Sequence, residues 1–217
     1  MIARSTTDPA SGASGKPGLA LFDFDGTLTQ RDTVLPFLLS VCGGQALPRL
    51  SVAAARGFAG DGDARRDAAK AAIIMSALAG RSSAEVNAAG RAYARVVLQR
   101  ALRPAGRARL EWHRAHGHRL VIVSASLEPY LAVVAELLGV ELCLCTRLEV
   151  SDDGRLTGSM AGANCRGAEK ARRVRAVVEP NEYEVWAYGD SAGDEALLAL
   201  ANHPVWVGKG ARRAPPH

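Results

Sequence analysis

Two pairs of aspartates are the residues whose types and spacing most clearly suggest chemistry. Asp23 and Asp25 lie two residues apart in the segment FDFDGT, and Asp190 and Asp194 lie in the segment GDSAGD. A carboxylate can act as a nucleophile, but an anionic phosphate would repel it unless a cation lies between them. Mg²⁺ prefers hard oxygen ligands of this kind. The two pairs therefore predict a magnesium site for a phosphate ester, and Asp190 could complete the ligands of the metal.

Other residues in the chain could bind the phosphate group itself. Lys170 opens a predicted helix, and its ammonium group could neutralise the phosphate and the nucleophile together. Ser124 ends a predicted strand and offers a hydroxyl, and the backbone N–H groups near Ala125 could assist it. Gly26 lets the backbone approach a ligand closely, and Thr27 follows it. We expect these residues to form the phosphate-binding part of the site.

Each of these features also has a purely structural explanation when it is taken alone. An Asp-Gly pair is a common turn, Ser191 with Asp194 could form a capping box, and Ser124 could cap the helix that follows it. Lys170 could be a surface lysine. Their order along the chain and their positions at predicted strand ends favour a common site, because ligands of open α/β sheets bind beyond the carboxyl ends of the strands.

The elements that would position these residues follow from the pattern of apolar runs. Short apolar runs are typical of buried parallel strands, and they occur at 19–23, 119–124, 140–145, 184–189 and 204–208. Helical patterns lie between them, at 105–116, 128–138, 168–178 and 192–201. Two segments around Asp153-Gly154 predict a β-hairpin between 146 and 160. The alternation predicts an α/β protein with a Rossmann-like parallel sheet and helices on both faces.

A long insertion separates the first strand from the second. Residues 33–103 show no convincing strand, and apolar residues from Ala64 to Leu78 keep helical spacing. Gly80 would end that helix, and Ser82 with Glu85 predicts a capping box for the next one. We therefore expect an all-helical cap. The predicted organisation is listed by residue number: a disordered segment over 1–17, an α/β core over 18–32 and 104–210, the cap over 33–103 and a flexible tail over 211–217.

Composition narrows the classes of partner and location. The formal net charge is +5 over 217 residues, which favours anionic partners, but no dense basic block indicates nucleic acid. No apolar run reaches about 18 residues, so no membrane span is expected. The N-terminus lacks a signal-peptide pattern, and the cysteines lack metal-binding spacing. We expect a cytoplasmic protein with reduced thiols; the sequence does not indicate its oligomeric state.

These motifs resemble the four motifs of the haloacid-dehalogenase-like (HAD) hydrolases. LFDFDGTLT is similar to the first motif, VIVSAS to the second, the lysine of RGAEK to the third and YGDSAGDEALL to the fourth. The motifs span residues 19 to about 198, and the first of them is the most specific. The inserted helical module resembles the C1 cap of the phosphoserine-phosphatase-like branch, subfamily IB.

The resemblance implies a role for each residue. Asp23 would attack phosphorus and form an aspartyl-phosphate, and Asp25 would protonate the leaving oxygen and then activate water. Asp23, the backbone carbonyl of Asp25, and Asp190 would hold Mg²⁺. The dehalogenases of the family lack the second acid and need no metal, so Asp25 and Asp190 favour a phosphatase. The remaining groups would bind the phosphoryl oxygens or orient the waters of the metal: Ser124, Lys170 and Asp194.

The substrate is expected to be a small phosphate ester, with sugar or polyol phosphates favoured. The chain departs from phosphoserine phosphatase, because Ser124-Ala125-Ser126 replaces Ser-Gly-Gly and Asp32 replaces a glutamate. Phosphoserine and phospholipid head groups remain alternatives, and an apolar stretch from Val34 to Leu38 could admit a lipid or simply pack the cap. A phosphotransferase or a non-catalytic binding protein is also considered. The candidates for substrate specificity are Asp32, Arg65, Arg66 and Lys70.

Overall fold

The computed structural model of the chain describes residues 15–43 and 63–208, and side chains from residue 68 onward in the second range. Most of the predicted N-terminal segment, the predicted tail after residue 210 and part of the predicted cap therefore lie outside the described residues. The side chains of Arg65 and Arg66 lie outside them as well.

A parallel sheet forms the centre of the described residues. The strands of this sheet are β1 (Gly18–Phe22), β2 (Arg119–Leu127), β3 (Leu142–Thr146), β6 (Glu184–Gly189) and β7 (His203–Trp206). They run in the order β3-β2-β1-β6-β7, and every neighbouring pair is parallel. This topology confirms the predicted α/β, Rossmann-like class.

Helices connect the strands and cover both faces of the sheet. The described helices are α1 (Val34–Cys42), α2 (Asp63–Leu78), α3 (Ser83–Arg100), α4 (Pro104–Ala115), α5 (Glu128–Leu137), α6 (Ala168–Arg175) and α7 (Glu195–Leu198). The continuous helix predicted over 192–201 is wrong, because a 3₁₀ turn over Ala192–Asp194 precedes a short α7. None of these described helices is long and apolar enough to cross a membrane.

Strict alternation along the central strands divides the core into two layers. Ala20 and Phe22 of β1 point into one apolar cluster, whereas Leu19 and Leu21 point into the other. Strands β2 and β6 alternate in the same way. The first layer contains the buried residues of α1 to α5, and the second contains those of α6 and α7. Burial on both faces explains why these strands read as continuous apolar runs in the sequence.

The predicted hairpin is present, and it contacts the inserted helices. Strands β4 (Leu148–Val150) and β5 (Leu156–Met160) pair antiparallel. The turn between α2 and α3 then pairs with this hairpin: the Gly80 N–H donates to the Leu156 carbonyl at 2.8 Å, and the Leu156 N–H donates to the Arg81 carbonyl at 2.9 Å. A Cβ added at Gly158 would lie 2.9 Å from the Ala79 Cβ, so β5 and the end of α2 are closely packed.

The capping box predicted at Ser82 and Glu85 is wrong. The Ser82 side chain makes no capping hydrogen bond. Instead, the Ser83 N–H donates to the carbonyl of Gly154 at 3.0 Å. An open N–H group at the start of α3 is thus satisfied by the backbone of the hairpin, which a local sequence pattern cannot reveal.

Candidate active site

The carboxyl ends of three neighbouring strands meet at one cavity. Asp23 follows β1, Ser124 lies near the end of β2, and Asp190 follows β6. Because β1 lies between β2 and β6, these residues share one edge of the sheet. The Asp23 N–H donates to the carbonyl of Tyr188 at 2.9 Å, which fixes the point at which the chain leaves β1. The cavity has a volume of about 610 Å³.

Lys170 joins the first and second acidic pairs. Its Nζ donates to Asp23 Oδ1 at 2.5 Å and to Asp194 Oδ1 at 2.6 Å. The Lys170 side chain is only 2% exposed. Burial disfavours its charge, but the two carboxylates outweigh that effect and raise the pKa of Lys170 above its usual value. Lys170 is therefore a permanently charged group inside the site.

Asp194 is a fixed anchor within this group. Its Oδ2 accepts hydrogen bonds from the Ser191 N–H at 2.9 Å, from the Ser191 hydroxyl at 2.9 Å and from the Asp190 N–H at 3.1 Å. Burial alone would raise the pKa of Asp194, but the Lys170 ammonium and these donors lower it. The capping-box explanation for Ser191 and Asp194 is thus correct, and Asp194 also orients Lys170. Both of its oxygens already accept hydrogen bonds.

Three carboxylates lie close enough to share a cation. One oxygen each of Asp23, Asp190 and Asp194 lies within 4.8 Å of the others. Burial raises the pKa of Asp23 to about 7, against the opposing effect of Lys170, and burial followed by the charge of Asp194 raises the pKa of Asp190. The cluster contains three carboxylates and only one lysine, so the described residues do not neutralise it when all three acids are ionised. A divalent ion held by Asp23 and Asp190 would supply the missing positive charge.

Gly26 brings the two acidic segments together. Its φ is +84°, a left-handed conformation that residues with a side chain rarely adopt. A Cβ built at this position would collide with the Asp190 carboxylate. A glycine is therefore required both by the turn after β1 and by the approach of Asp190.

Asp25 lines the same cavity, but its carboxylate contacts residues beside the first inserted helix and near the end of β2. Its Oδ1 accepts hydrogen bonds from the Thr33 N–H at 2.9 Å and from the Thr33 hydroxyl at 2.7 Å. Its Oδ2 accepts a hydrogen bond from the Ser126 hydroxyl. Burial, followed by the charge of Asp32, raises the pKa of Asp25 to about 6. The two acids of the first motif therefore have different environments, which suits different roles in proton transfer.

Of the other predicted phosphate-binding residues, some line the cavity and one does not. Ser124 lines the cavity, and its Oγ accepts a hydrogen bond from the Ser126 N–H at 3.1 Å. Ala125 and Gly26 also line the cavity. Thr27 is not one of the cavity-lining residues; its hydroxyl is buried and has no hydrogen-bond partner within the described part of the chain. The role of Thr27 in binding phosphate remains a prediction.

Two of the predicted specificity residues reach the cavity. Lys70 of α2 donates to the carbonyl of Ala125, and to Asn164 Oδ1 at 2.7 Å. Asp32 lines the cavity, and its Oδ1 also accepts from the backbone N–H groups of Val34 and Leu35 at the start of α1. Several other polar side chains line the cavity but carry no motif or spacing that would have predicted this: Gln30, Arg31, Arg103, Asn164 and Arg166.

Comparison with known proteins agrees with this geometry. The profile of the haloacid dehalogenase-like hydrolase family matches residues 20–199. Protein CicA of Caulobacter vibrioides is 39% identical over 203 residues, which cover 91% of this chain and 90% of CicA.

Two solved structures have the same fold. A Bordetella pertussis protein of unknown function has a TM-score of 0.75 and 25% identity, over 91% of this chain and 94% of that one. A phosphoserine phosphatase, solved as a phospho-aspartyl intermediate analogue, has a TM-score of 0.61 and 20% identity, over 86% of this chain and 84% of that one. The chain belongs to the haloacid dehalogenase-like hydrolase family, and it is an enzyme of the phosphatase type.

Proposed function

We propose that the protein hydrolyses a small phosphomonoester with the help of Mg²⁺, through an aspartyl-phosphate on Asp23. The observation that carries the proposal is the contact of Lys170 with Asp23 in the same cavity as Asp190 and Ser124. A buried carboxylate, a positive charge and a hydroxyl thus line one cavity, which supports the proposal. The arrangement suits phosphoryl transfer, which depends mainly on positioning and electrostatic stabilisation.

The donor set fits a hard divalent cation. Asp23, the backbone carbonyl of Asp25 and Asp190 would hold Mg²⁺, because Asp194 already gives both its oxygens to hydrogen bonds. When bound, the ion would offset the repulsion between the carboxylates and an incoming phosphate. The inserted helices act as a cap over this site in the proposed organisation, with 33–103 as the cap and 18–32 with 104–210 as the core.

Each of these residues then has a defined role in the reaction. An oxygen of Asp23 forms the bond to phosphorus while the bond to the leaving oxygen breaks, and Asp25 gives its proton to that oxygen. Asp25 then takes a proton from water, which attacks phosphorus and releases Asp23. Lys170 and Ser124 bind the phosphoryl oxygens and stabilise their charge. Asp194 keeps Lys170 in place.

The residues that line the cavity wall favour two candidate classes of substrate. Asp32, Lys70 and Asn164 offer polar groups that suit the hydroxyls of a sugar or polyol phosphate. A second candidate is a phosphate ester with a hydrocarbon chain, of which a phospholipid head-group ester is one form. It is favoured by an aliphatic wall on α1 and α2: Val34, Leu35, Leu38, Ala69 and Ile73. Leu35 is 47% exposed at this wall.

A panel of phosphate esters, with Mg²⁺ present or chelated, tests the proposal. We expect phosphate release from p-nitrophenyl phosphate only with the metal, and none from Asp23→Asn, which should keep the fold. Unchanged turnover by Asp23→Asn would overturn the mechanism. Sugar, polyol, alkyl and phosphoserine esters in the same panel identify the substrate class. Transfer of phosphate to an added alcohol in place of water would favour a phosphotransferase.

A further inference from the structure

Three hydroxyl side chains from separate elements surround the carboxylate of Asp25. Thr33 lies directly before α1, Ser126 lies near the end of β2, and Tyr130 lies in α5. The Thr33 and Ser126 hydroxyls each donate to a different oxygen of Asp25. The Tyr130 hydroxyl lies 2.8 Å from both the Ser126 and the Thr33 hydroxyl oxygens. We call Thr33, Ser126 and Tyr130 the hydroxyl cluster.

The hydroxyl cluster is closed to solvent. Thr33 is 2% exposed, and Ser126 and Tyr130 are both 0% exposed. Buried hydroxyls are costly unless they are hydrogen-bonded, so these groups constrain one another. Thr33 and Ser126 each have one hydroxyl proton, and each gives it to Asp25. Tyr130 also has one hydroxyl proton, and it donates that proton to the Ser126 oxygen. Thr33 and Ser126 therefore each hold one oxygen of the carboxylate, and Tyr130 holds the Ser126 hydroxyl in turn.

The position of the cluster also separates it from the acidic centre. Asp23, Asp190 and Asp194 surround Lys170 and the cation site, whereas the cluster lies between the core strand β2, the core helix α5 and the start of the first inserted helix. Neither Ser126 nor Tyr130 lines the cavity. Their side-chain hydroxyls therefore act on the reaction through Asp25 and Thr33, while the backbone N–H of Ser126, which donates to Ser124, is kept in Ser126→Ala.

We propose that Ser126 and Tyr130 are positioning residues that hold the Asp25 carboxyl in line with the leaving oxygen. The inference rests on the proposed function, because it takes Asp25 as the proton donor. As the bond from phosphorus to the leaving oxygen breaks, the Asp25 proton passes to that oxygen and Asp25 becomes a carboxylate. The two hydroxyl donors then stabilise this carboxylate until it accepts a proton from the attacking water.

The dependence of the rate on the leaving group tests this inference. An alkyl alkoxide leaves poorly without a proton, whereas p-nitrophenolate leaves well without one. For Ser126→Ala and Tyr130→Phe we expect kcat/KM on a simple alkyl phosphate, which covers the steps up to departure of the leaving group, to fall about tenfold or more, a small part of what general acid catalysis contributes. On p-nitrophenyl phosphate we expect a change of less than about threefold.

Two further variants give the largest loss that is expected and the control without a selective loss. Asp25→Asn should show the largest selective loss on the alkyl ester, and adding Ser126→Ala to it should cause no further loss, because both act through one proton. Tyr93→Phe is the matched control: its hydroxyl donates to the Thr33 backbone carbonyl at 3.1 Å, next to the cluster, but does not contact the hydroxyls of the cluster in the described contacts.

The outcomes are distinct. A selective loss on the alkyl ester in Ser126→Ala or Tyr130→Phe, and not in Tyr93→Phe, supports the inference. An equal loss on both esters, or no loss, overturns it and leaves a packing role only. Tyr130→Phe keeps the shape of the ring, so it provides the answer if Ser126→Ala does not fold. A failure of the wild-type protein to hydrolyse any phosphate ester would instead contradict the proposed function.

Discussion

At the scale of single residues, the site depends on one buried cation from the protein. Lys170 is 2% exposed and pairs with two carboxylates that are also almost completely buried. Such a group contributes little net stability compared with apolar packing, but its removal leaves buried charges without a partner. We therefore expect Lys170 to be needed both for the stability of the fold and for the reaction.

Replacing Lys170 by methionine should both abolish activity and destabilise the fold. The expected loss in free energy of unfolding is about 3–5 kcal/mol, the usual cost of breaking a buried ion pair. Denaturant unfolding measures it. Arg172→Met on the same helix is the control, because the Arg172 side chain is exposed and its pair with Glu169 should contribute little to stability. Equal losses in the two variants would contradict the buried pairing. Adding Asp23→Asn to Lys170→Met should restore part of the stability.

Gly26→Ala should inactivate the enzyme through a collision with the carboxylate of Asp190. The matched control is Gly154→Ala, since φ is +80° at Gly154 and +84° at Gly26, while a Cβ at Gly154 meets nothing within 4 Å. Both variants should lose about 1 kcal/mol or more of stability from backbone strain. Only Gly26→Ala should lose phosphate release. Full activity in Gly26→Ala would show that Asp190 does not need its present position.

The sequence predicted the acidic residues of this site, but it did not predict the hydroxyl cluster around Asp25. Asp23 and Asp190 stand directly at the ends of strands, so parallel topology alone brings them together. Ser126 and Tyr130 carry no such signal, because their contact with Asp25 depends on how α5 packs behind β2. The sequence singled out Ser126 only as a replacement for a glycine of phosphoserine phosphatase, whereas its side chain is buried and does not line the cavity.

At the scale of elements, the closest contact of the inserted helices with the core is between α3 and α5. Gly90 of α3 is buried, and a Cβ built there would collide with the backbone carbonyl of Pro129 in α5. The glycine thus lets the two helices approach closely. Tyr93, one turn later on α3, donates to the backbone carbonyl of Thr33, so α3 also contacts the start of α1.

Gly90→Ala tests this contact, because helix propensity and close packing predict changes of opposite sign in the free energy of unfolding. Helix propensity alone predicts that alanine stabilises α3 by about 0.5–1 kcal/mol. The collision with Pro129 predicts a loss of about 1–3 kcal/mol, which should prevail because backbone is less able to yield than a side chain. Thermal or denaturant unfolding measures the result. Ala88→Gly at an exposed position of the same helix isolates propensity and should lose about 1 kcal/mol. A stabilised Gly90→Ala would contradict close packing.

The insertion and the hairpin were each predictable from the sequence, but their contact was not. Apolar spacing from Ala64 to Leu78 indicated a helix, and Asp153-Gly154 indicated a turn. The pairing of Gly80 and Arg81 with Leu156 joins segments that are distant in sequence and carries no local pattern. The same long-range pairing explains why Ser82 does not form the capping box that its spacing with Glu85 predicted.

At the scale of the whole molecule, the fold brings several negative charges together, and we expect a bound cation to neutralise the excess. Asp23, Asp190 and Asp194 converge from both ends of the chain, and Lys170 offsets only part of their charge. The raised pKa of Asp23, which results mainly from burial, indicates that the fold tolerates this charge at a cost. A bound divalent cation should therefore stabilise the protein as well as activate it.

Addition of Mg²⁺ should raise the thermal unfolding temperature of the wild-type protein. A ligand present at about a hundred times its Kd stabilises the folded state by about 2.7 kcal/mol. In Asp190→Asn this stabilisation should be reduced sharply, because one proposed ligand loses its charge. Thermal unfolding with Mg²⁺ and with chelator measures both proteins. An unchanged response of Asp190→Asn would remove Asp190 from the proposed set of ligands.

The most direct test of the account is chemical trapping of the phosphorylated residue. An acyl phosphate is reduced by borohydride, so Asp23 should be converted to homoserine in protein that is turning over p-nitrophenyl phosphate with Mg²⁺. Peptide mass spectrometry should find the change at Asp23 and not at Asp25, and only when the ester is present. Steady release of phosphate with no modification of Asp23, or with modification at another residue, would contradict the role of Asp23 as nucleophile.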